Sequence, residues 1–208
     1  FLCNECNKNL KYIKENSKYY LKCENCKKSI SEYRGVFDLD NSFSLNSKNK
    51  IYNDFWKDIY ISDAKCRNYN IEEKIINDKN YLFENKIVLD AGVGDGRHLE
   101  IIAKKNPKLI ICIDLSYGIY LAKIRWDKLK LKTPIIFIKA PIEKVKLSPK
   151  SIDLIWCTGV LTIADNHLEL IKIFQNHAKD SILIGLLSNN IFGTSYYLLN
   201  PFRNIFRL

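Results

Sequence analysis

The chain has 208 residues, of which 47% are hydrophobic, and it carries a formal net charge of +10. This length accommodates one full domain with a small appendage, and the hydrophobic share is ample for a core. No apolar run approaches the roughly 20 residues that cross a bilayer, which excludes a transmembrane helix. Since no secretory signal is visible either, we expect a cytoplasmic protein.

The positive charge raises the question of nucleic-acid binding. Only six of the 33 basic residues are arginines, and the lysines are spread thinly along the chain. This pattern favours a lysine-rich solvated surface over a nucleic-acid-binding face. The chain begins at Phe1 and contains no methionine, so we expect it to be a fragment.

Four cysteines near the N-terminus form two C-x-x-C pairs, Cys3 with Cys6 and Cys23 with Cys26, with 16 residues between the pairs. This count and spacing predict a tetrahedral zinc site made of four thiolates. Two disulfides are the alternative, but a chain without a secretory signal favours reduced thiols. A segment of about 40 residues has too small a core to fold alone, so the metal would supply the folding energy.

Residues 31–39, S-E-Y-R-G-V-F-D-L, follow the second cysteine pair. They resemble the end of the small zinc ribbon of the methyltransferase-activator family. The resemblance implies a zinc ribbon over residues 1–40 with a structural or interactive role, including contact with a protein partner. Four thiolates leave zinc no open position for catalysis.

The next segments differ in pattern. Residues 41–50 are polar, rich in Ser and Asn and without a period, so we interpret them as a linker. Residues 51–83 carry aromatic and apolar residues at a spacing of three to four, which predicts helices.

Residues 87–97 read I-V-L-D-A-G-V-G-D-G-R. They predict a buried strand that ends in Asp90, a turn with glycines at positions 92, 94 and 96, and then a helix over 98–105. Such a turn holds nucleotide-like ligands because glycine lets the backbone approach closely, and a helix N-terminus favours negative charge. A dinucleotide site would need G-x-G-x-x-G, but Arg97 takes the place of the third glycine.

A second buried strand over residues 109–113 ends in Asp114, 24 residues after Asp90. An acid in this place can accept hydrogen bonds from both hydroxyls of a ribose. A helix over 117–130 and a third strand over 135–138 follow. Two further strands are predicted, within 151–161 and over 181–187, with an amphipathic helix over 167–177 between them.

The spacing D-x-G-x-G-x-G resembles motif I of the class I S-adenosylmethionine-dependent methyltransferases, and I-D-L-S at residues 113–116 matches the family's second motif. The resemblance covers residues 51–187 and implies an α/β fold with a Rossmann-like, doubly wound, mostly parallel sheet. Residues 189–208 correspond to an insertion near the acceptor site. The final strands of the fold are missing, so we expect a methyltransferase domain over 51–208 that is incomplete at its C-terminus.

The resemblance also implies roles for individual residues. Asp90 and the loop amides hold the methionine end of the cofactor, Asp114 holds the ribose, and Ile142 lies against the adenine. Pro141 stands where the family commonly has an acid that accepts a hydrogen bond from the adenine amino group, and proline offers neither a side-chain acceptor nor an N–H. The cofactor-binding residues implied are Asp90, Ala91, Gly92, Gly94, Gly96, Asp114, Leu115, Pro141, Ile142 and Cys157.

We therefore expect a methyltransferase that uses S-adenosylmethionine and structural zinc and acts on a small molecule. No residue supports a catalytic label, since methyl transfer can run on positioning and on exclusion of water. One alternative is an RNA methyltransferase whose zinc ribbon binds the substrate. Another is a scaffold that kept the fold and lost turnover.

Overall fold

The computed structural model describes residues 1–39, 54, 70–161 and 164–185. Nine strands in these residues form one sheet. The strands are β1 (Leu10–Glu15), β2 (Lys18–Cys23), β3 (Ser29–Tyr33), β4 (Val36–Asp38), β5 (Ile87–Ala91), β6 (Leu109–Asp114), β7 (Ile135–Lys139), β8 (Ile152–Thr158) and β9 (Ala178–Gly185). The α-helices are α1 (Asn70–Asp78), α2 (Leu99–Ala103), α3 (Gly118–Leu129) and α4 (His167–His177), and short 3₁₀ turns lie at Asn80–Leu82 and Ile142–Lys144.

The sheet order is β1-β2-β3-β4-β7-β6-β5-β8-β9. Strands β7, β6, β5, β8 and β9 are parallel, and β5 lies between β6 and β8. The chain therefore winds outward from β5 in both directions. In such a sheet the crevice for a ligand lies outside the carboxyl ends of the strands where the winding reverses.

The central strands are apolar on both faces because helices or loops cover both. One face packs against α1, α2 and α3 and includes Val88 and Trp156. The other face packs against α4 and residues 142–147 and includes Leu89 and Cys157. This arrangement confirms the predicted α/β class with a doubly wound, mostly parallel sheet.

The cysteine-rich N-terminal segment continues this sheet. Strands β1 to β4 pair antiparallel in succession, and β4 then pairs parallel with β7, Val36 lying opposite Phe137. Val36 is fully buried in the same cluster as the central strands. The sequence alone does not predict this pairing.

The predicted helices correspond to α1, α2, α3 and α4 where the structure describes them. Helix α4 has the bounds expected from the sequence, and its first turn is capped by the side chain of Asn166, which accepts a hydrogen bond from the Glu169 amide at 3.1 Å. The predicted linker at 41–50, most of the helical segment before residue 70, and residues 189–208 lie outside the described residues. None of the helices in the described part has the length and apolar character that crossing a bilayer requires.

Candidate cofactor site and candidate metal centre

The glycine turn joins the end of β5 to α2 and takes a backbone course that side chains oppose. Gly92, Gly94 and Gly96 have φ values of +83°, +54° and +75°, in the left-handed region that glycine tolerates. At Gly96 a Cβ would lie 2.9 Å from the Cα of Ala122 in α3. The turn can therefore pack directly against α3 only because residue 96 has no side chain.

Most amides of this turn already donate within the protein. The amides of Gly92 and Val93 donate to the Ile113 carbonyl at 2.8 and 3.2 Å, and the Gly96 amide donates to the Val93 carbonyl at 3.0 Å. The Gly94 amide donates to Oδ2 of Asp114 at 2.8 Å. At these four positions the turn therefore has no free amide to donate to a ligand, and what it offers is a backbone that a ligand can approach closely.

Asp114, at the end of β6, carries the carboxylate that accepts the hydrogen bond from the glycine turn. In addition to the Gly94 amide, the Ser116 amide and the Ser116 hydroxyl donate to its Oδ1 at 2.8 and 2.6 Å. Burial raises the pKa of Asp114, and the hydrogen bonds from Ser116 and Gly94 oppose that rise. An ionised carboxylate offers about four acceptor positions, so three are in use here.

Asp90 lies beside Asp114 at the end of the neighbouring strand. It is 3% exposed, and it is paired in register with Cys112 on one side and Trp156 on the other. Burial, with a smaller contribution from the charge of Asp114, raises the pKa of Asp90 to about 8. Its carboxyl group is therefore largely protonated at neutral pH, and a cation held beside it would favour the ionised form.

A third buried acid, Asp95, lies within the turn itself. Its Oδ1 faces Nε of Arg97 at 2.8 Å, and its Oδ2 faces the guanidinium of Arg125 in α3 at 2.9 Å. Burial raises the pKa of Asp95, while the Arg125 charge and the backbone donors lower it. The pair with Arg125 joins the turn to α3 independently of the contact at Gly96, and the pair with Arg97 lies within the turn itself.

The residues expected at the adenine side follow β7. The Ala140 amide donates to the Asp114 carbonyl at 3.0 Å, which places the start of this segment next to the acid. Pro141 and Ile142 are half-buried and lead into the 3₁₀ turn. Leu115 is also half-buried, beside Asp114. The structure thus joins the predicted residues at the ends of β5 and β6 directly, and the segment after β7 begins beside Asp114.

Cys157 is placed differently. It is fully buried in β8, within the core face that packs against α4. Burial raises the pKa of its thiol well above the ordinary value. Its side chain therefore belongs to the core beneath the strand ends, and Thr158 and Gly159 are the half-buried residues next in the chain.

The four N-terminal cysteines form a candidate metal centre. Their Sγ atoms all lie within 4.8 Å of one another, and the pairs Cys3–Cys26 and Cys6–Cys23 are each separated by 3.4 Å. A tetrahedral zinc ion with Zn–S bonds of about 2.3 Å holds its sulfur atoms about 3.8 Å apart. Hydrogen bonds, the largest contribution coming from the backbone N–H of Lys8, lower the pKa of the Cys6 thiol to about 6, which favours the thiolate that binds metals. At Cys26 the Lys28 amide lowers the pKa, but hydrogen bonds with the other three thiols raise it above its ordinary value.

Ser116 is the last residue of the I-D-L-S motif at 113–116, but one ion pair beside the site is not evident from any sequence motif. Lys139 is 6% exposed at the end of β7, in register with Asp114, and its ammonium group lies 2.7 Å from Asp38 of β4. Because Lys139 and Asp38 are 101 residues apart, only the sheet topology brings them together.

The fold is that of the class I methyltransferases. Residues 89–181 match the family described as "Methyltransferase domain", fewer than half of the chain. This match begins within β5 and ends within β9, so it contains the glycine turn, Asp114 and the segment after β7.

Three solved structures illustrate the similarity. A SAM-dependent methyltransferase from Aquifex aeolicus is 22% identical, with a TM-score of 0.52 over 62% of this chain and 70% of that one. Protein arginine methyltransferase 10 from Arabidopsis thaliana is 17% identical, with a TM-score of 0.51 over 65% and 39%. The [4+2]-cyclase SpnF is 16% identical, with a TM-score of 0.50 over 54% and 43%. Because one of these proteins is named as a cyclase, the shared fold does not by itself establish methyl transfer.

Proposed function

We propose that this protein is an S-adenosylmethionine-dependent methyltransferase whose acceptor is a small molecule. The observation that carries the proposal is the hydrogen bond from the Gly94 amide to the buried carboxylate of Asp114, which joins the glycine turn to the end of β6. This joint lies at the carboxyl ends of β5 and β6, where a doubly wound sheet binds nucleotide-like ligands.

The residues present fit the adenosine half of the cofactor. Asp114 has one acceptor position left, and a second becomes available if the Ser116 hydroxyl turns away, so the carboxylate can receive both ribose hydroxyls. The two amide donors from Gly94 and Ser116 stay in place and keep the carboxylate oriented. Leu115 and Ile142 are half-buried apolar residues next to Asp114 and after β7, so each is a candidate for contact with the adenine ring.

The methionine half of the cofactor falls beside Asp90 and the glycine turn. The cofactor supplies a sulfonium methyl group, which is positively charged and open to attack by a nucleophile. Asp90 is a buried acid next to that position, so its ionised form would stabilise a neighbouring positive charge. Glycine at residue 92 lets the turn backbone lie against the Val160 side chain, since a Cβ there would overlap Cγ2 of Val160.

The acceptor side lies at the end of β8. Thr158 and Gly159 follow the buried Cys157 there, and this strand end carries no acid, histidine or lysine within residues 157–161. An acceptor that brings its own nucleophilic atom suits such a surface, because the protein then only positions it and excludes water.

We further propose that the cysteine cluster binds zinc and that residues 1–40 are a structural ribbon. All four sulfur atoms are mutually close, and a site with four thiolates has no open coordination position for a substrate. Zinc therefore acts on folding and not on the reaction.

Calorimetric titration of S-adenosylmethionine and S-adenosylhomocysteine into the zinc-loaded chain tests the proposal. We expect micromolar binding of both, and we expect Asp114→Ala to abolish it because the ribose then loses its acceptor. Circular dichroism would show whether the variant is folded, and Asp78→Asn, an exposed acid on α1, is the matched control. If the folded wild-type chain bound neither ligand, the proposed methyltransferase activity would be wrong, and the result would favour a non-catalytic scaffold.

RNA is a second candidate acceptor because of a row of tyrosines that ends beside the cofactor site. The rings of Tyr33 and Tyr120 are 6.4 Å apart, and those of Tyr120 and Tyr117 are 5.7 Å apart. Tyr33 and Tyr117 are 61% and 57% exposed, and the guanidinium of Arg34 lies 5.3 Å from the Tyr33 ring. Exposed aromatic rings next to arginine are the surface on which unpaired bases stack.

Binding of a labelled single-stranded RNA, followed by fluorescence anisotropy, distinguishes the two acceptors. An RNA substrate requires affinity that falls steeply with salt and that Tyr33→Ala and Tyr117→Ala each lower by roughly tenfold. Tyr81→Ala, which removes an equally exposed ring at 63% exposure, should leave the affinity unchanged. Absence of salt-dependent binding would leave the small-molecule acceptor as the proposal.

A further inference from the structure

The segment that carries the adenine-side residues, 140–145, is held at both ends by the N-terminal ribbon. At its start, β4 pairs with the end of β7, and the Leu39 amide donates to the Lys139 carbonyl at 3.1 Å. The Lys139 ammonium donates to Asp38 at 2.7 Å, and the Lys139 side chain is only 8% exposed. Separation of this pair is costly on the Lys139 side, because that ammonium group is buried, whereas the Asp38 side chain is 31% exposed.

At its end, the segment is attached to the first cysteine pair. The Leu2 amide donates to the Lys146 carbonyl at 2.8 Å. The Lys146 ammonium donates to the Asn4 carbonyl at 3.2 Å and to Oδ1 of Asn7 at 2.8 Å. Asn4 lies between Cys3 and Cys6, and Asn7 follows Cys6 directly. Lys146 is therefore bonded to the loop whose shape the metal would determine.

Between these two anchors the segment contacts the cofactor site. Its first amide, that of Ala140, donates to the Asp114 carbonyl at 3.0 Å. Pro141 and Ile142 follow, and the turn closes through the Val145 amide, which donates to the Ile142 carbonyl at 3.1 Å. Val145 is 3% exposed and belongs to the same core face as Phe1 and Leu39 of the ribbon.

We propose that the metal-bound first cysteine pair, acting through Lys146, positions residues 140–145 for the adenosine half of the methyl donor, so that metal loading sets the affinity for the cofactor. The proposal rests on the proposed function. Lys146 is a positioning residue: it acts on the ligand through Pro141 and Ile142. A segment fixed at both ends loses less conformational freedom when a ligand binds than one fixed at a single end. Without metal a small cysteine-rich module loses its fold, and the anchor at Lys146 is lost with it.

The test combines ligand affinity with hydrogen exchange on the full chain. Lys146 is solvent-exposed, and in Lys146→Met the backbone bond from the Leu2 amide remains. We therefore expect faster exchange of the amides of residues 140–146 and roughly threefold weaker binding of S-adenosylhomocysteine, equivalent to about 0.6 kcal/mol. Removal of zinc with a chelator should produce both effects in the wild-type chain. Lys146→Arg keeps donors for Asn4 and Asn7 and should recover the affinity, whereas Lys128→Met, an exposed lysine of α3, should change neither quantity.

The zinc content and unfolding midpoint of Lys146→Met, measured in parallel, separate positioning from general destabilisation. Positioning predicts that both stay at the wild-type values while the affinity falls. Unchanged exchange and unchanged affinity in Lys146→Met would overturn the positioning role while leaving the proposed function intact. Failure of the wild-type chain to bind the ligand would instead overturn the proposed function and this inference with it.

Discussion

Three carboxyl groups are buried around the glycine turn, and the protein holds each of them differently. Asp114 accepts three hydrogen bonds, and Asp95 faces two arginines. At Asp90, burial and the charge of Asp114 disfavour the ionised carboxylate, so the pKa of this group rises to about 8. The first two arrangements keep the turn in one shape, whereas Asp90 is the group whose charge a bound cation would change.

The first prediction concerns the pH dependence of stability at Asp90. In the unfolded chain its pKa is about 4, and in the folded chain it is about 8. Between these values the folded state binds one more proton than the unfolded state, so the free energy of unfolding falls as pH rises from about 4 to 8. Asp90→Asn should weaken this decline, which urea unfolding at pH 5 and pH 8 measures.

Asp114 contributes in the same direction because burial also raises its pKa, so part of the decline should remain in the Asp90→Asn variant. Asp78→Asn replaces an exposed acid on α1 and should preserve the wild-type pH dependence. An Asp90→Asn variant that loses stability between pH 5 and pH 8 as steeply as the wild type would show that Asp90 is ionised throughout that range.

At the scale of elements, the sequence predicted the strands and helices whose formation depends on residues close by in the chain. The strand that ends at Asp90 follows from an apolar run before glycines, and helix α4 follows from its amphipathic pattern, because both signals depend on near neighbours in the sequence. The turn amides were expected to hold the methionine end of the cofactor, but the Gly92 and Gly94 amides donate to groups of β6 that only the folded sheet brings near. The ion pair between Lys139 and Asp38 was not predicted for the same reason.

The second prediction concerns the contact between the glycine turn and α3. Gly96 and Gly35 both have a φ of +75°, but a Cβ at residue 96 would meet the backbone of Ala122, whereas one at residue 35 would meet the flexible side chain of Lys123. Each substitution by alanine costs about 1–2 kcal/mol for the left-handed backbone. Gly96→Ala should cost about 2 kcal/mol more than Gly35→Ala, because helix backbone yields less than a lysine side chain.

Urea unfolding of the two glycine variants measures this difference, and Gly35→Ala is the matched control since its backbone conformation is the same. Equal losses of stability would mean that the turn moves away from α3 at little cost. In that case the ion pair between Asp95 and Arg125, and not the close packing at Gly96, would fix the position of the turn relative to α3.

At the scale of the whole molecule, the proposed ribbon, through β1 to β4, extends the sheet that carries the candidate cofactor site. Strand β4 covers the edge of β7, which would otherwise expose unpaired backbone groups. Val36 lies in one core face, and Phe1 and Leu39 pack against the other. A sheet joined in this way should unfold as one unit, although the sequence suggests two modules with a linker between them.

The third prediction follows from this continuity. Removal of zinc should lower the thermal midpoint of the whole sheet by about 10 °C, since each kcal/mol corresponds to roughly 2–4 °C in a chain of this size and loss of the metal removes the ribbon's main source of stability. Trp156 is 2% exposed in β8 and reports on the centre of the sheet, so its fluorescence should shift together with the circular dichroism of the backbone. A variant with Trp56 and Trp126 replaced by phenylalanine isolates that signal, and re-addition of zinc should restore the midpoint.

If Trp156 unfolded at the same temperature with and without zinc, the ribbon would be an independent module, and its contacts with β7 and Lys146 would add nothing to the stability of the cofactor site.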